Sequence, residues 1–83
     1  MNPSCQVFRK TPTGERDVIC LCSERGYADM VAKSVALITS EPNKKIYVTG
    51  YQVDWWKSSV VGGGWYDAYW RDEDGKLCSE SRN

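Results

Sequence analysis

The residues of this chain best equipped for chemistry are its four cysteines, Cys5, Cys20, Cys22 and Cys78. Four thiolates close a tetrahedral zinc site. Here the spacing is a single C-x-C with two isolated partners instead of paired C-x₂-C knuckles, and the chain has no histidine to complete a set. Cys20 and Cys22 lie two apart on a β-forming stretch, about 6.5–7 Å between Cα atoms, an awkward span for a mutual disulfide. Cys5 lies on the expected hairpin partner, where it could approach Cys22. Buried reduced thiols are therefore the expected state, since free cysteine is among the most buried residue types. Zinc on Cys5, Cys20, Cys22 and Cys78, or a disulfide, are the alternatives.

Catalysis by the commonest routes needs a nucleophile beside a base, or paired carboxylates in a pocket. Without histidine the usual proton-transfer residue is missing. Asp54, Asp67 and Asp72 are the candidate carboxylates, and each is read at a strand end or turn, where a solvated aspartate is ordinary. Gly62-Gly63-Gly64 is followed by Trp65 where a phosphate-cradling loop would continue Lys-Ser or Lys-Thr. The expectation is a chain that is not an enzyme and carries no cofactor.

A second group of residues has chemistry of another kind. Four Trp and five Tyr in 83 residues is a high density of side chains that pair apolar area with a polar tip. Such residues either fill a small core or form a binding surface.

The elements that position them follow from pattern. Cys5 to Thr11 and Arg16 to Cys22 read as strands joined across Pro12-Thr13-Gly14-Glu15 in a hairpin. Ser23 is a candidate N-cap, and Tyr27, Met30, Val31, Val35 and Ile38 recur at helical spacing on one face. Asp29 and Lys33 are expected to form an i,i+4 pair on the solvent side. Pro42-Asn43 ends the helix. Lys45 to Trp55 is a long strand, Lys57 to Gly64 a glycine-rich loop, and Trp65 to Asp72 a further strand closed by a turn at Asp74-Gly75. Leu77-Cys78 could add a short strand, and Ser79 to Asn83 reads as a frayed tail.

The fold class is α+β: one small domain over residues 1–83, with an antiparallel four-stranded sheet in the order β-β-α-β-β and a single helix packed on one face. Arg16 to Cys22, apolar on both faces, is expected to be a central strand.

One helix leaves the other sheet face wet or covered by a partner. Alternation assigns Ile46 and Val48 to the helix side and Tyr47, Tyr51 and Trp55 to the open side. In the next strand either Trp65 and Tyr69 or Tyr66 and Trp70 reach the open side. With Trp56, these aromatics are the candidate partner-binding residues.

Formal net charge is zero, which counts against nucleic acid as partner. The alternative reading is nonetheless a nucleic-acid module stacking bases on these aromatics, with Arg9, Lys10, Lys44 and Lys45 on phosphates. No apolar run is long enough to cross a bilayer and the N-terminus has no signal-peptide pattern, so a cytoplasmic location is expected. The primary reading is a non-enzymatic module that docks on another protein or on its own copy. Small inhibitors and adaptors of phages and mobile elements, anti-defence inhibitors of the anti-CRISPR type among them, are proteins of that kind.

Overall fold

The structure, a computed structural model, describes residues 4–54 and 59–82, with side chains for residues 4–50 and 65–82. Five strands and one helix follow in the order β1 (Cys5–Lys10), β2 (Arg16–Cys22), α1 (Arg25–Ile38), β3 (Ile46–Asp54), β4 (Ser59–Arg71) and β5 (Leu77–Arg82). The strands form one antiparallel sheet ordered β2-β1-β3-β4-β5, and α1 packs on one face. The α+β class is as expected, with a fifth strand added to the four anticipated.

Two tight turns set the hairpins. Gly14 adopts φ 86°, and its amide donates to the Thr11 carbonyl between β1 and β2. Gly75 adopts φ 83° between β4 and β5, where Asp72 Oδ1 accepts from the amides of Asp74 and Lys76. Both glycines occupy the left-handed region that a Cβ disfavours.

The core lies between α1 and the sheet. From the sheet come Cys5, Val7, Ile46, Val48 and Tyr69; from the helix come Ala28, Ala32 and Ala36, one per turn along a single line. Trp65 and Tyr69 stand up from β4 on this side, so the helix stripe facing them must be small. For that reason the expected helix face is rotated: Val31 and Val35 flank the alanines, while Tyr27, Met30 and Ile38 are 59%, 61% and 82% exposed. Asp29, expected toward solvent, turns inward instead. Ser23 does not cap the helix; Glu24 is the N-cap residue and makes no side-chain cap bond.

Three further expectations are corrected. β2 is an edge strand; β3 is the central one, and β1, between β2 and β3, is buried at Cys5, Gln6, Val7 and Phe8. β2 borders β1 alone, and with the helix on one face only, its Val18 and Leu21 stay nearly half exposed on the other. Residues 59–64 of the expected glycine-rich loop belong to β4, paired with β3 from Asp54↔Ser59 to Tyr51↔Gly62. The expected frayed tail forms β5, where Ser79, Ser81 and Arg82 pair with Tyr69, Asp67 and Tyr66.

Candidate functional site

On the face away from α1, alternation along each strand gathers Gln6 and Phe8 of β1, Tyr47 and Thr49 of β3, Tyr66, Ala68 and Trp70 of β4, and Glu80 of β5. Tyr47 is the centre of the aromatic group. Its ring stacks on Phe8 at 5.3 Å between centroids and meets Tyr66 in a T-shaped contact at 5.9 Å. Such pairs contribute about 0.5–1.5 kcal/mol each beyond their buried area. Phe8 is only 3% exposed although no helix covers it, because its neighbours on the face close over it.

Cations cap the rings. Arg16 lies over Phe8 at 4.4 Å, Lys10 over Tyr47 at 5.0 Å and Lys45 over Trp70 at 4.9 Å. Lys45 Nζ also donates to Glu80 Oε1 at 3.2 Å, and Glu80 in turn accepts from the Tyr66 hydroxyl at 3.4 Å. That carboxylate holds the Lys45 pKa above its ordinary value. A shallow depression of about 380 Å³ between Phe8, Arg16, Tyr47, Thr49 and Tyr66 marks the middle of the face.

The aromatics singled out from sequence thus divide. Tyr47, Tyr66 and Trp70 share the open face. Trp65 and Tyr69 are on the opposite side, Trp65 packed against the core with the Arg25 guanidinium 4.0 Å from its ring centroid, and Tyr69 buried under α1. Trp55 and Trp56 lie outside the described residues, as does the side chain of Tyr51.

The four cations suggested for phosphate contacts do come together. A cleft of about 480 Å³ at the end of the sheet is bordered by Arg9 and Lys10 of β1, by Lys44 and Lys45, and by the segment Thr39–Asn43 that leaves the helix. Arg71 fixes that segment, its Nε donating to the Thr39 carbonyl at 2.9 Å and its Nη2 to the Ser40 carbonyl at 2.7 Å. Lys10 and Tyr47 border both this cleft and the central depression, so the two are neighbours.

A carboxyl pair lies on the helix side, and it corrects one expectation: Asp67, read as a solvated aspartate at a strand end or turn, is buried within β4, and its pairing with Asp29 is not legible in the sequence. Arg25 donates to both oxygens of Asp67, Nε at 3.0 Å and Nη2 at 2.8 Å, and Ser81 Oγ adds a third bond at 2.7 Å. These bonds, Arg25 foremost, depress the Asp67 pKa to about 2. Asp29 faces the same carboxylate, and its buried Oδ1 has no hydrogen-bond partner. Burial first, then the neighbouring Asp67, raises the Asp29 pKa to about 6. Two ionised carboxylates cannot hydrogen-bond; a proton on Asp29 lets it donate to Asp67 and removes the repulsion. Burial and the same two carboxyls push the Tyr69 hydroxyl up to about 12. No motif marks Asp29 and Asp67; only the helix rotation described above brings them together.

The cysteines do not converge on one point. Cys20 Sγ and Cys22 Sγ are 3.6 Å apart, and Cys5 pairs across the ladder with Cys22. Cys78 is on β5, at the opposite end of the sheet, four strand spacings or roughly 19 Å away. The four-cysteine zinc arrangement is therefore not assembled, and among the described residues no three metal-ligating side chains cluster. Burial, with a smaller effect of Cys20, pushes the Cys22 thiol up to about 11. Among the described residues, no helix is long and apolar enough to cross a membrane.

No protein-family model, curated protein or solved structure matches this chain.

Proposed function

We propose that this chain is a non-enzymatic docking module that binds another protein across the sheet face away from α1. The observation that carries the reading is the Tyr47 cluster, in which Tyr47 packs on Phe8 and Tyr66, with Trp70 on the same face, the one away from α1. Tyr and Trp suit such a surface because they offer large contact area at little cost in side-chain entropy. A chain of 83 residues presenting one docking face fits a small inhibitor or adaptor of the kind phages and mobile elements encode.

A second reading, a single-strand nucleic-acid module, draws on the cleft that gathers Arg9, Lys10, Lys44 and Lys45. Against it, Arg16, Lys10 and Lys45 occupy the ring faces on which bases would stack.

The test is affinity capture from nuclease-treated lysate with three baits of verified fold: wild type, Tyr47→Ser/Tyr66→Ser on the sheet face, and Tyr27→Ser/Met30→Ser on the outer helix face. A stoichiometric protein retained by wild type and the helix variant but lost by the sheet variant is the expected result. A protein that survives the sheet substitutions sinks the surface assignment. A gel shift of a single-stranded oligonucleotide at micromolar protein and low salt would transfer the reading to nucleic acid.

A further inference from the structure

We infer that the partner surface this face accepts is acidic, an Asp- and Glu-rich segment of a protein seated in the cleft beside Tyr47; the inference rests on the docking reading above. The neutral net charge of the chain hides an uneven distribution. The open face and the cleft together present Arg9, Lys10, Arg16, Lys44 and Lys45, against the carboxylates of Asp17, Glu41 and Glu80. In a chain with eleven residues of each sign, the remainder is accordingly net negative. A surface that concentrates one sign steers partners of the other and sets docking register.

The local ion pairs do not satisfy these cations. Arg9–Asp17 at 2.9 Å, Lys44–Glu41 at 3.4 Å and Lys45–Glu80 at 3.2 Å are single-contact pairs between exposed side chains. Pairs of that kind are worth at most about 1 kcal/mol, so incoming carboxylates exchange with them readily. Lys10 lies over the Tyr47 ring at 5.0 Å, and an ammonium with three donors can bind a carboxylate while keeping that contact. The cleft is also preformed, since Arg71 anchors the Thr39–Asn43 wall through two carbonyls and the Arg71 carbonyl accepts from the Asn43 amide at 2.8 Å. A preformed site loses less ordering entropy on binding.

Phosphate backbone and carboxylate are both anionic, and the capped rings decide between them. A single-stranded nucleic acid gains much of its affinity from stacking. Here a base would first have to displace Lys10, Arg16 or Lys45 from a ring, losing the contact and the charge that attracts the strand. Carboxylates bind those cations where they lie.

The experiment titrates isotope-labelled protein with short poly-L-glutamate and, separately, with a single-stranded DNA oligonucleotide of equal charge, following backbone amides by NMR at low and moderate salt. Poly-L-glutamate should shift the amides of Arg9, Lys10, Lys44 and Lys45, bind more tightly than the oligonucleotide, and weaken with salt. Charge reversal in Lys10→Glu/Lys44→Glu should weaken it on the order of tenfold. Absence of these shifts, or tighter binding of the oligonucleotide, overturns the inference. The captured partner separates this inference from the docking reading. Loss with Tyr47→Ser/Tyr66→Ser but undiminished binding by Lys10→Glu/Lys44→Glu removes the acidic segment and leaves the docking face standing.

Discussion

Arg25, in the first turn of α1, grips Asp67 of β4 with two hydrogen bonds, one to each carboxylate oxygen, while its guanidinium carbon lies over Trp65, 4.0 Å from the ring centroid. The Asp67 side chain is 4% exposed and that of Arg25 44%. Removing the cation therefore strands a buried carboxylate. Breaking a fully buried pair costs about 3–5 kcal/mol; with one partner half in water, Arg25→Ala should cost about 2 kcal/mol. Urea denaturation at neutral pH measures it, and a loss below a few tenths of a kcal/mol would show that the clamp does not anchor α1.

The Asp29–Asp67 pair predicts a stability maximum on the acidic side of neutrality. Asp29 titrates near 6 in the folded chain, above its ordinary 3.8, so the folded state keeps its proton longer than the unfolded one. Its contribution is complete below pH 3.8 and is lost as pH rises through about 6. Asp67 acts in the opposite sense: depressed to about 2, it contributes above pH 3.8, and this is lost as pH falls through about 2. Stability should peak near pH 4 and decline toward pH 7. In Asp29→Asn, whose amide can donate to Asp67 at any pH, the decline between pH 4 and 7 should flatten. Denaturation midpoints measured across that range, unchanged in slope by the substitution, would contradict the shared proton.

The alanine line of α1 predicts a steric asymmetry. Ala32 faces the sheet with no accessible surface, so Ala32→Leu must push the helix outward and should cost about 1–3 kcal/mol. Ile38→Ser, at a position 82% exposed, should stay within about 0.5 kcal/mol of wild type. Thermal denaturation of the two variants side by side checks the order; equal losses would place the helix face elsewhere.

The thiols should differ in reactivity according to their cover. Cys78 on β5 and Cys20 are partly exposed, whereas Cys5 and Cys22 are buried, with Cys22 held as the protonated thiol by its raised pKa. Alkylation of native protein followed by peptide mass spectrometry should label Cys78 and Cys20 well before Cys22. Early labelling of Cys22 would mean that the corner between β2 and α1 opens readily.

Local pattern carried some of this architecture and long-range contact carried the rest. The alternation Ile46, Tyr47, Val48 places its side chains as observed because both faces of β3 have distinct surroundings and a period of two resolves them. Gly14 and Gly75 mark turns for the conformational reason seen at each. Residues 59–64 carry glycines that leave no side-chain period to detect, so that half of β4 reads as loop. β5 is an edge strand whose Ser79, Glu80, Ser81 and Arg82 need no apolar face, so it reads as a tail. On α1 the large apolar residues dominate any periodicity, yet the bulk of Trp65 and Tyr69 admits only alanine. The same rotation carries Asp29 inward against Asp67, a contact between residues too far apart in sequence for spacing to reveal.

The two borders of the sheet are unlike, and this bears on how copies of the chain can associate. β2 offers an outer strand with half-exposed Val18 and Leu21, whereas β5 offers Ser, Glu and Arg, the composition that discourages strand addition. Head-to-tail stacking of copies needs both borders, and unless its rotation closes a ring it propagates as a filament. Pairing of β2 with β2 uses one border twice, is related by a two-fold axis, and is complete when two chains have met.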